Sequence, residues 1–292
     1  IMFEDPQDGT SGEYKTVANS NTVSSTLLIS MKSVTGYSLR SDAQMDVYLM
    51  SPSDPSLLAD YITLQNRQNG KMYTPSIAGA LITEKFARDT NTKIGDTVFI
   101  QTSDSKTYEI FVAGIVENYT FHYIYISPDY YAEIFGEWPA YNYCLGNLTD
   151  VVRASDASTL ASLKGQMATK LMAVGGIQAV SFNSDVNESL SEITDALIAV
   201  VAVFFISALI LAFVVLYNLT NINILERTRE LATLKVLGFL DNEVNSYVLR
   251  ENLILTMFGT AFGMLLGILL HYLLITYAEI DTVMFGRDIE WY

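Results

Sequence analysis

The chain has one cysteine, two histidines and only 17 Lys and Arg against 32 Asp and Glu in 292 residues, a formal charge of −15. Each shortage excludes something. So few basic groups remove the nucleic-acid binders that work through Lys and Arg contacts to phosphate. With Cys144 alone there is no internal disulfide, and a small buried hydrophobe is its ordinary reading. A zinc site needs converging ligands, and His122 and His271 fall in different regions, far from one another and from a second thiol. No phosphate-binding loop is present either: in GTSGEYKT at 9–16, Glu13 and Tyr14 separate the glycine from the lysine and break the required spacing. Nor does a GxSxG nucleophile elbow occur. The chain is therefore expected to be no enzyme and to hold no cofactor or metal.

The most telling absence is local. Residues 1–195 hold 12 basic and 23 acidic side chains, net −11, yet 196–217 and 253–277 contain no Asp, Glu, Lys or Arg at all. At about 1.5 Å per residue, each stretch exceeds the roughly 30 Å of bilayer hydrocarbon as a helix. Both are expected to be transmembrane helices, and this uneven distribution accounts for a mean hydropathy of +0.26 in so acidic a chain.

Orientation follows from the basic residues near the membrane ends. The connection between the two runs carries Arg227, Arg229, Lys235 and Arg250, whereas 171–195 carry no basic residue and 278–292 only Arg287. The connection is expected inside, with residues 1–195 and the tail at 278–292 outside. No signal sequence or earlier span precedes the exterior part, so at least one further helix upstream is expected.

Within that exterior part, 1–25 are rich in turn-favouring residues and read as a loop-rich lead-in. Short β-favouring runs follow at Thr26–Met31 and Asp46–Met50, then a short helix over Ser56–Gln65. In GALITEKFARDTNTKIGDTVFI, Thr83 is placed as the N-cap of a helix through Arg88, its hydroxyl accepting from first-turn amides. Strand Thr97–Thr102 and an alternating strand over Tyr108–Val116 come next. Residues 121–143 are crowded with tyrosine beside Phe121, Phe135 and Trp138, which suits either interlobe packing or an exposed contact surface. From Tyr141 the pattern is strand, helix, strand, with Leu160, Leu163, Met167, Leu171 and Val174 at helical spacing and Gly175 and Gly176 as the stop. This reads as half of a split αβ layer whose partner lies upstream.

The predicted architecture is α+β. A split αβ lobe and a smaller β-rich lobe at about 77–140 share an exterior domain over 1–182. A stalk helix at 183–195, spans at 196–217 and 253–277 around an inner loop at 218–252, and an exterior tail complete it.

Three membrane-side features stand out. Gly259, Gly263 and Gly267 recur every four residues, giving one helix face where another backbone can approach closely. His271, six residues from Tyr277, reads as an interfacial polar residue. In the inner loop, Glu226, Arg227, Arg229 and Glu230 sit beside Leu225, Leu231, Leu234 and Leu237, a short amphipathic helix that Gly238 ends and that can dock a cytoplasmic partner.

The stretch ERTRELATLKVLGFLDNEV, followed by LRENLIL and a span with spaced glycines, resembles the permease domain of FtsX/MacB-type ABC transporters. ITEKFARDTNTKIGD and VAGIVENYTFHYIYISPDYY are similar to the extracytoplasmic domain of large Gram-positive members, so the resemblance covers about 77–277. It implies a four-span core of which this chain carries the second and third spans, in a multi-pass cell-membrane protein. Residues from about Asn223 to Gly238 would form the coupling helix, with Glu226, Arg227, Arg229, Glu230, Lys235 and Gly238 seated on a cytoplasmic ABC ATPase. Further partners implied are a second permease half or homodimer mate, membrane lipid, and an exterior peptide, lipoprotein or hydrolase. The functions implied are export or resistance, or activation of cell-wall hydrolases; a membrane-anchored exterior receptor or scaffold is the rival reading from a different class.

Overall fold

The computed structural model describes residues 1–238, 240–279 and 281–285. It divides into a sheet-bearing unit, Ile1–Phe182 with a segment that begins at Glu279, and a helical unit that begins at Asn183. The first unit runs β1 (Met2–Gln7), α1 (Gly12–Ala18), β2 (Val23–Tyr37), β3 (Gln44–Pro52), β4 (Ala80–Thr83), α2 (Glu84–Asp89), β5 (Thr97–Gln101) and β6 (Thr107–Val116). It continues through β7 (Tyr123–Tyr125), α3 (Pro128–Phe135), β8 (Tyr141–Leu148), α4 (Asp150–Arg153), α5 (Ala157–Met172) and β9 (Ile177–Ala179). The second holds α6 (Asn183–Glu226), α7 (Thr228–Val236) and α8 (Asp241–Ala278).

One strand organises the first unit. β2 pairs β3 along one edge over Ile29–Tyr37. On its other edge it pairs β8 over Val23–Ile29 and then β5 over Thr35–Tyr37. With the pairings β3–β7, β7–β4, β4–β6 and β6–β5, the ladder returns to β2 and closes a six-stranded barrel. Closure removes the free edges that an open sheet would offer to another chain. A barrel this small is filled by side chains: Val34, Val47, Leu49, Ile82, Val98, Ile100, Ile110, Val112 and Ile124 pack inside with Phe86 from α2 and Tyr130 and Tyr131 from α3. The lobe marked from sequence at about 77–140 thus also takes in β2 and β3.

The remaining strands, β9–β1–β8 and the first half of β2, form the split lobe under α1 and α5. Phe3, Val17, Leu28, Cys144, Met167, Leu171 and Ile177 make its core. Here the structure differs from the sequence reading of 1–25 as a loop-rich lead-in, because β1 and α1 complete the lobe from within the chain. Acids and Pro6 hide β1. Pro6 lies beyond the Met2 and Phe3 positions that β9 covers, where a missing N–H costs no ladder bond to that strand. Between the lobes, β2 is buried on both faces, with Leu28 in the split-lobe core while Leu27 and Ile29 pack with Met50, Leu81 and Tyr125. Two covered faces explain why TLLIS is a continuous apolar run rather than an alternating one.

Where β2 leaves β8 for β5, Asn142 takes over the ladder. Its side chain accepts from the Met31 N–H at 2.9 Å and donates to the Met31 carbonyl at 3.0 Å, doing what a paired backbone would do. Two smaller expectations also change. Ser56–Gln65 contains only a short 3-10 turn at Leu58–Asp60. Thr83 does precede α2, but its hydroxyl accepts from the Tyr123 N–H at 3.3 Å instead of capping that helix. The tyrosine-rich stretch is chiefly packing: Tyr125, Tyr130 and Tyr131 are buried, while Phe121 and Trp138 stay exposed.

Candidate functional site

Helices α6 and α8 contain the apolar stretches Thr194–Glu226 and Leu253–Tyr277, and none of the most apolar window of either is buried. Phe204 is 71% exposed and Phe258 74%. Apolar surface on this scale is not left to water, at roughly 25 cal/mol per Å². That disposes of a soluble-core reading of these helices, and the chain is a membrane protein. Gly259, Gly263 and Gly267 present an open face, with no atom near the position that a Cβ would occupy on any of them among the described residues. His271, four residues beyond Gly267, is partly covered, its Nε2 without a hydrogen-bond partner among the described residues.

The inner connection is built by one break and one stop. α6 ends at Glu226, and Arg227 leaves helical geometry at φ −101°, ψ 12° to become the cap of α7. Thr228 folds back on the preceding turn, its hydroxyl hydrogen-bonded to the Ile224 and Leu225 carbonyls, both at 2.9 Å, a local alternative that bends helices. At the other end Gly238 adopts φ 92°, a conformation that glycine enters without penalty. Its N–H donates to the Lys235 carbonyl at 3.1 Å. Glu226, Arg227, Arg229, Glu230 and Lys235 are thereby gathered on one nine-residue helix and its approach. Leu231 and Leu234 are half-buried, whereas Leu225, Val236 and Leu237 stand open at 74%, 88% and 70% exposure. The apolar side of α7 is thus partly spent on its own unit and partly free to meet something else.

Sequence reasoning missed a second cluster, at the far end of α8. Glu279 and residues 281–285 belong to the sheet-bearing unit, and the latter pair with the loop ahead of β7. The Phe121 N–H donates to the Thr282 carbonyl at 2.6 Å and the Met284 N–H to the Tyr119 carbonyl at 2.8 Å, an antiparallel bridge between Thr120 and Val283. Beneath it, Glu279 accepts from Arg88 at 2.6 Å and lies 3.8 Å from Lys85, with the Glu279 and Lys85 side chains only 4% and 5% exposed. Lys85 in turn donates to the Val283 carbonyl at 2.9 Å. His122 Nε2 is 2.8 Å from the Asp281 carbonyl. A carbonyl only accepts, so the proton sits on Nε2 and the buried Nδ1 is bare, without a partner among the described residues. Burial accordingly holds the His122 pKa below its ordinary value of 6.5, and Lys85 adds to the effect. Of the tail expected at 278–292, residues 280 and 286–292 lie outside the described residues.

Residues 202–291 match the FtsX-like permease C-terminal family. The chain carries an FtsX-like permease region. That region takes in most of α6, all of α7 and α8, and the segment that joins the sheet-bearing unit. No curated protein matches the chain. Among solved structures it is similar to the extracellular domain of the noncanonic ABC-type transporter YknZ from Gram-positive bacteria, at 16% identity and TM-score 0.37, over 62% of this chain and 98% of that one. It is also similar to the periplasmic region of MacB from Actinobacillus actinomycetemcomitans, at 12% identity and TM-score 0.34, over 62% of this chain and 81% of that one. The permease region matches where the charge-free runs and the inner helix are, and a permease of this kind works in general with an ABC ATPase.

Proposed function

We propose that the chain is part of the membrane subunit of an FtsX/MacB-like ABC transporter, in which a partner ATPase drives movement of the exterior domain in export or resistance. The cell membrane of a Gram-positive bacterium is its setting, with the sheet-bearing unit outside and α7 inside. What carries this reading is α7. A short charged helix with open apolar side chains, set between two long apolar helices in an FtsX-like permease region, is suited to seat on a cytoplasmic protein. Hydrolysis belongs to the partner, since the chain offers no phosphate-binding loop of its own.

Coupling requires the ATPase in its two nucleotide states to bind two arrangements of the helices with different affinity. Arg227 and Arg229, at the start of α7, are the residues assigned to that contact, with Glu226, Glu230 and Lys235 around them. The open glycine face of α8 is assigned to a span outside this chain, supplied by the rest of the permease or by a second copy. The test is co-purification of the full-length parent with its ATPase from membranes. Arg227→Glu with Arg229→Glu is expected to abolish stimulation of ATP hydrolysis and leave hydrogen exchange in the barrel strands unchanged. Undiminished stimulation refutes the coupling assignment, and recovery of exterior partners alone favours an anchored receptor.

A further inference from the structure

We infer that Glu279 and residues 281–285 are a latch fastening the chain that leaves α8 to the barrel lobe, whereas the chain enters α6 from the split lobe. The attachment of α6 is covalent and short. Ile177 of β9 is buried in the split-lobe core with Val180 and Phe182 packed against it, and α6 begins at the next residue, Asn183. The attachment of α8 is the docked segment. Its last residue, Ala278, is joined to Glu279, whose carboxylate is buried between Arg88 and Lys85 of α2 on the barrel.

Three observations separate a latch from a passing contact. The cations on α2 are matched by an anion at the first residue after α8, and a buried charge in this position needs that match. The segment then adds a strand-like rung, with both hydrogen bonds of the Thr120–Val283 bridge formed and Met284 buried behind it. Finally, Phe121 is held at φ 58°, a left-handed conformation that costs a bulky residue energy, and its N–H is the donor to Thr282. Docking thus holds a strained residue in place, and release of the segment would let it relax. That is the composition of a two-state element, with burial and ion pairing on one side and backbone strain on the other. The latch stands on this geometry alone; its use in transmission rests on the permease reading above.

The experiment uses the full-length parent in nanodiscs. Hydrogen exchange at the Phe121 and Met284 amides reads the latch, and exchange at Ile110 and Val112 reads the barrel. Glu279→Gln is expected to speed the first pair at least tenfold and leave the second pair unchanged; unchanged exchange at Phe121 and Met284 overturns the latch. Should the barrel amides also open, a second variant decides. Thr120 and Val283 face each other as a non-hydrogen-bonded antiparallel pair, where side chains are closest and a disulfide fits. Thr120→Cys with Val283→Cys, in a Cys144→Ser background, is expected to cross-link under mild oxidant with the barrel amides still protected, and failure to cross-link overturns the proposal. The cross-linked protein then tests transmission separately. Its ATPase coupling is expected to fall, whereas intact coupling refutes the use of the latch and leaves its existence standing.

Discussion

Asn142 is the side chain whose removal should loosen the junction between the lobes without emptying either core. Asn142→Ala deletes two hydrogen bonds, from the Met31 N–H and to the Met31 carbonyl. Each is worth about 1 kcal/mol net, and a backbone group left unpaired and out of reach of water costs about 1–3 kcal/mol. Met31 is half-buried, so water recovers part of this and about 2 kcal/mol remains. In local opening that is roughly thirtyfold, since about 1.4 kcal/mol corresponds to tenfold. Exchange at the Met31 amide of the full-length protein should therefore accelerate by about thirtyfold, while Ile110 and Val112 keep their protection. Asn142→Asp divides the effect. It keeps the acceptor for the Met31 N–H but loses the donor to the carbonyl, so the amide stays largely protected although the unfolding midpoint still falls. A Met31 amide as slow in Asn142→Ala as in the parent would refute the claim that this side chain replaces the ladder.

Two further outcomes follow from the same structure. His122 titrates below its ordinary pKa because it is buried, with Lys85, Asp89 and Asp281 as the charged groups around it. The unfolded chain therefore binds a proton that the folded chain refuses: stability and latch protection should decline as pH falls below about 6.5 and continue to decline down to the folded pKa. His122→Gln should flatten that part of the profile of Phe121 exchange, and a profile identical to the parent's would exclude His122 as its source. Gly36→Ala would place a Cβ 2.8 Å from Val47 Cγ2 and 2.9 Å from the Phe86 ring, a clash inside a filled barrel that costs about 1–3 kcal/mol. Urea midpoints from pulse proteolysis should show the loss, and Phe86→Leu should offset part of it; strict additivity would place the strain elsewhere.

The local features were legible because each rests on residues near one another in sequence. Two charge-free runs announce α6 and α8, Gly238 marks the end of α7, and the alternation of Tyr108, Ile110 and Val112 marks β6. What escaped depends on distance along the chain or on a compensated local rule. β1 breaks the strand pattern with Glu4, Asp5 and Pro6, and only its place between β8 and β9 makes it a strand. Thr83 sits where a cap belongs, yet its oxygen is claimed by Tyr123, forty residues away. Barrel closure needs β2 to pair β3 on one edge and, after leaving β8, β5 on the other, and no short window of sequence shows that a strand changes neighbour midway. The pairing of Arg88 with Glu279 spans 191 positions and joins two ordinary surface-type residues. Nothing in either segment signals burial; it arises because the chain returns to the barrel after α8.

That return gives the exterior unit two attachments of different stiffness. On the α6 side the chain passes from β9 into a helix in a few residues. The α8 side is a non-covalent dock to the barrel, and it yields when its ion cluster and rung yield. Between the lobes the link is β2, continuous in backbone but held at the change of partner by a side-chain amide instead of a full ladder. Force applied differently to the two helices would then concentrate at Asn142 and at Glu279, because the cores on either side are close-packed and shift as blocks. Among the described residues, the Asn142 amide and the Glu279 ion cluster are thus places where these blocks are joined by side-chain contacts.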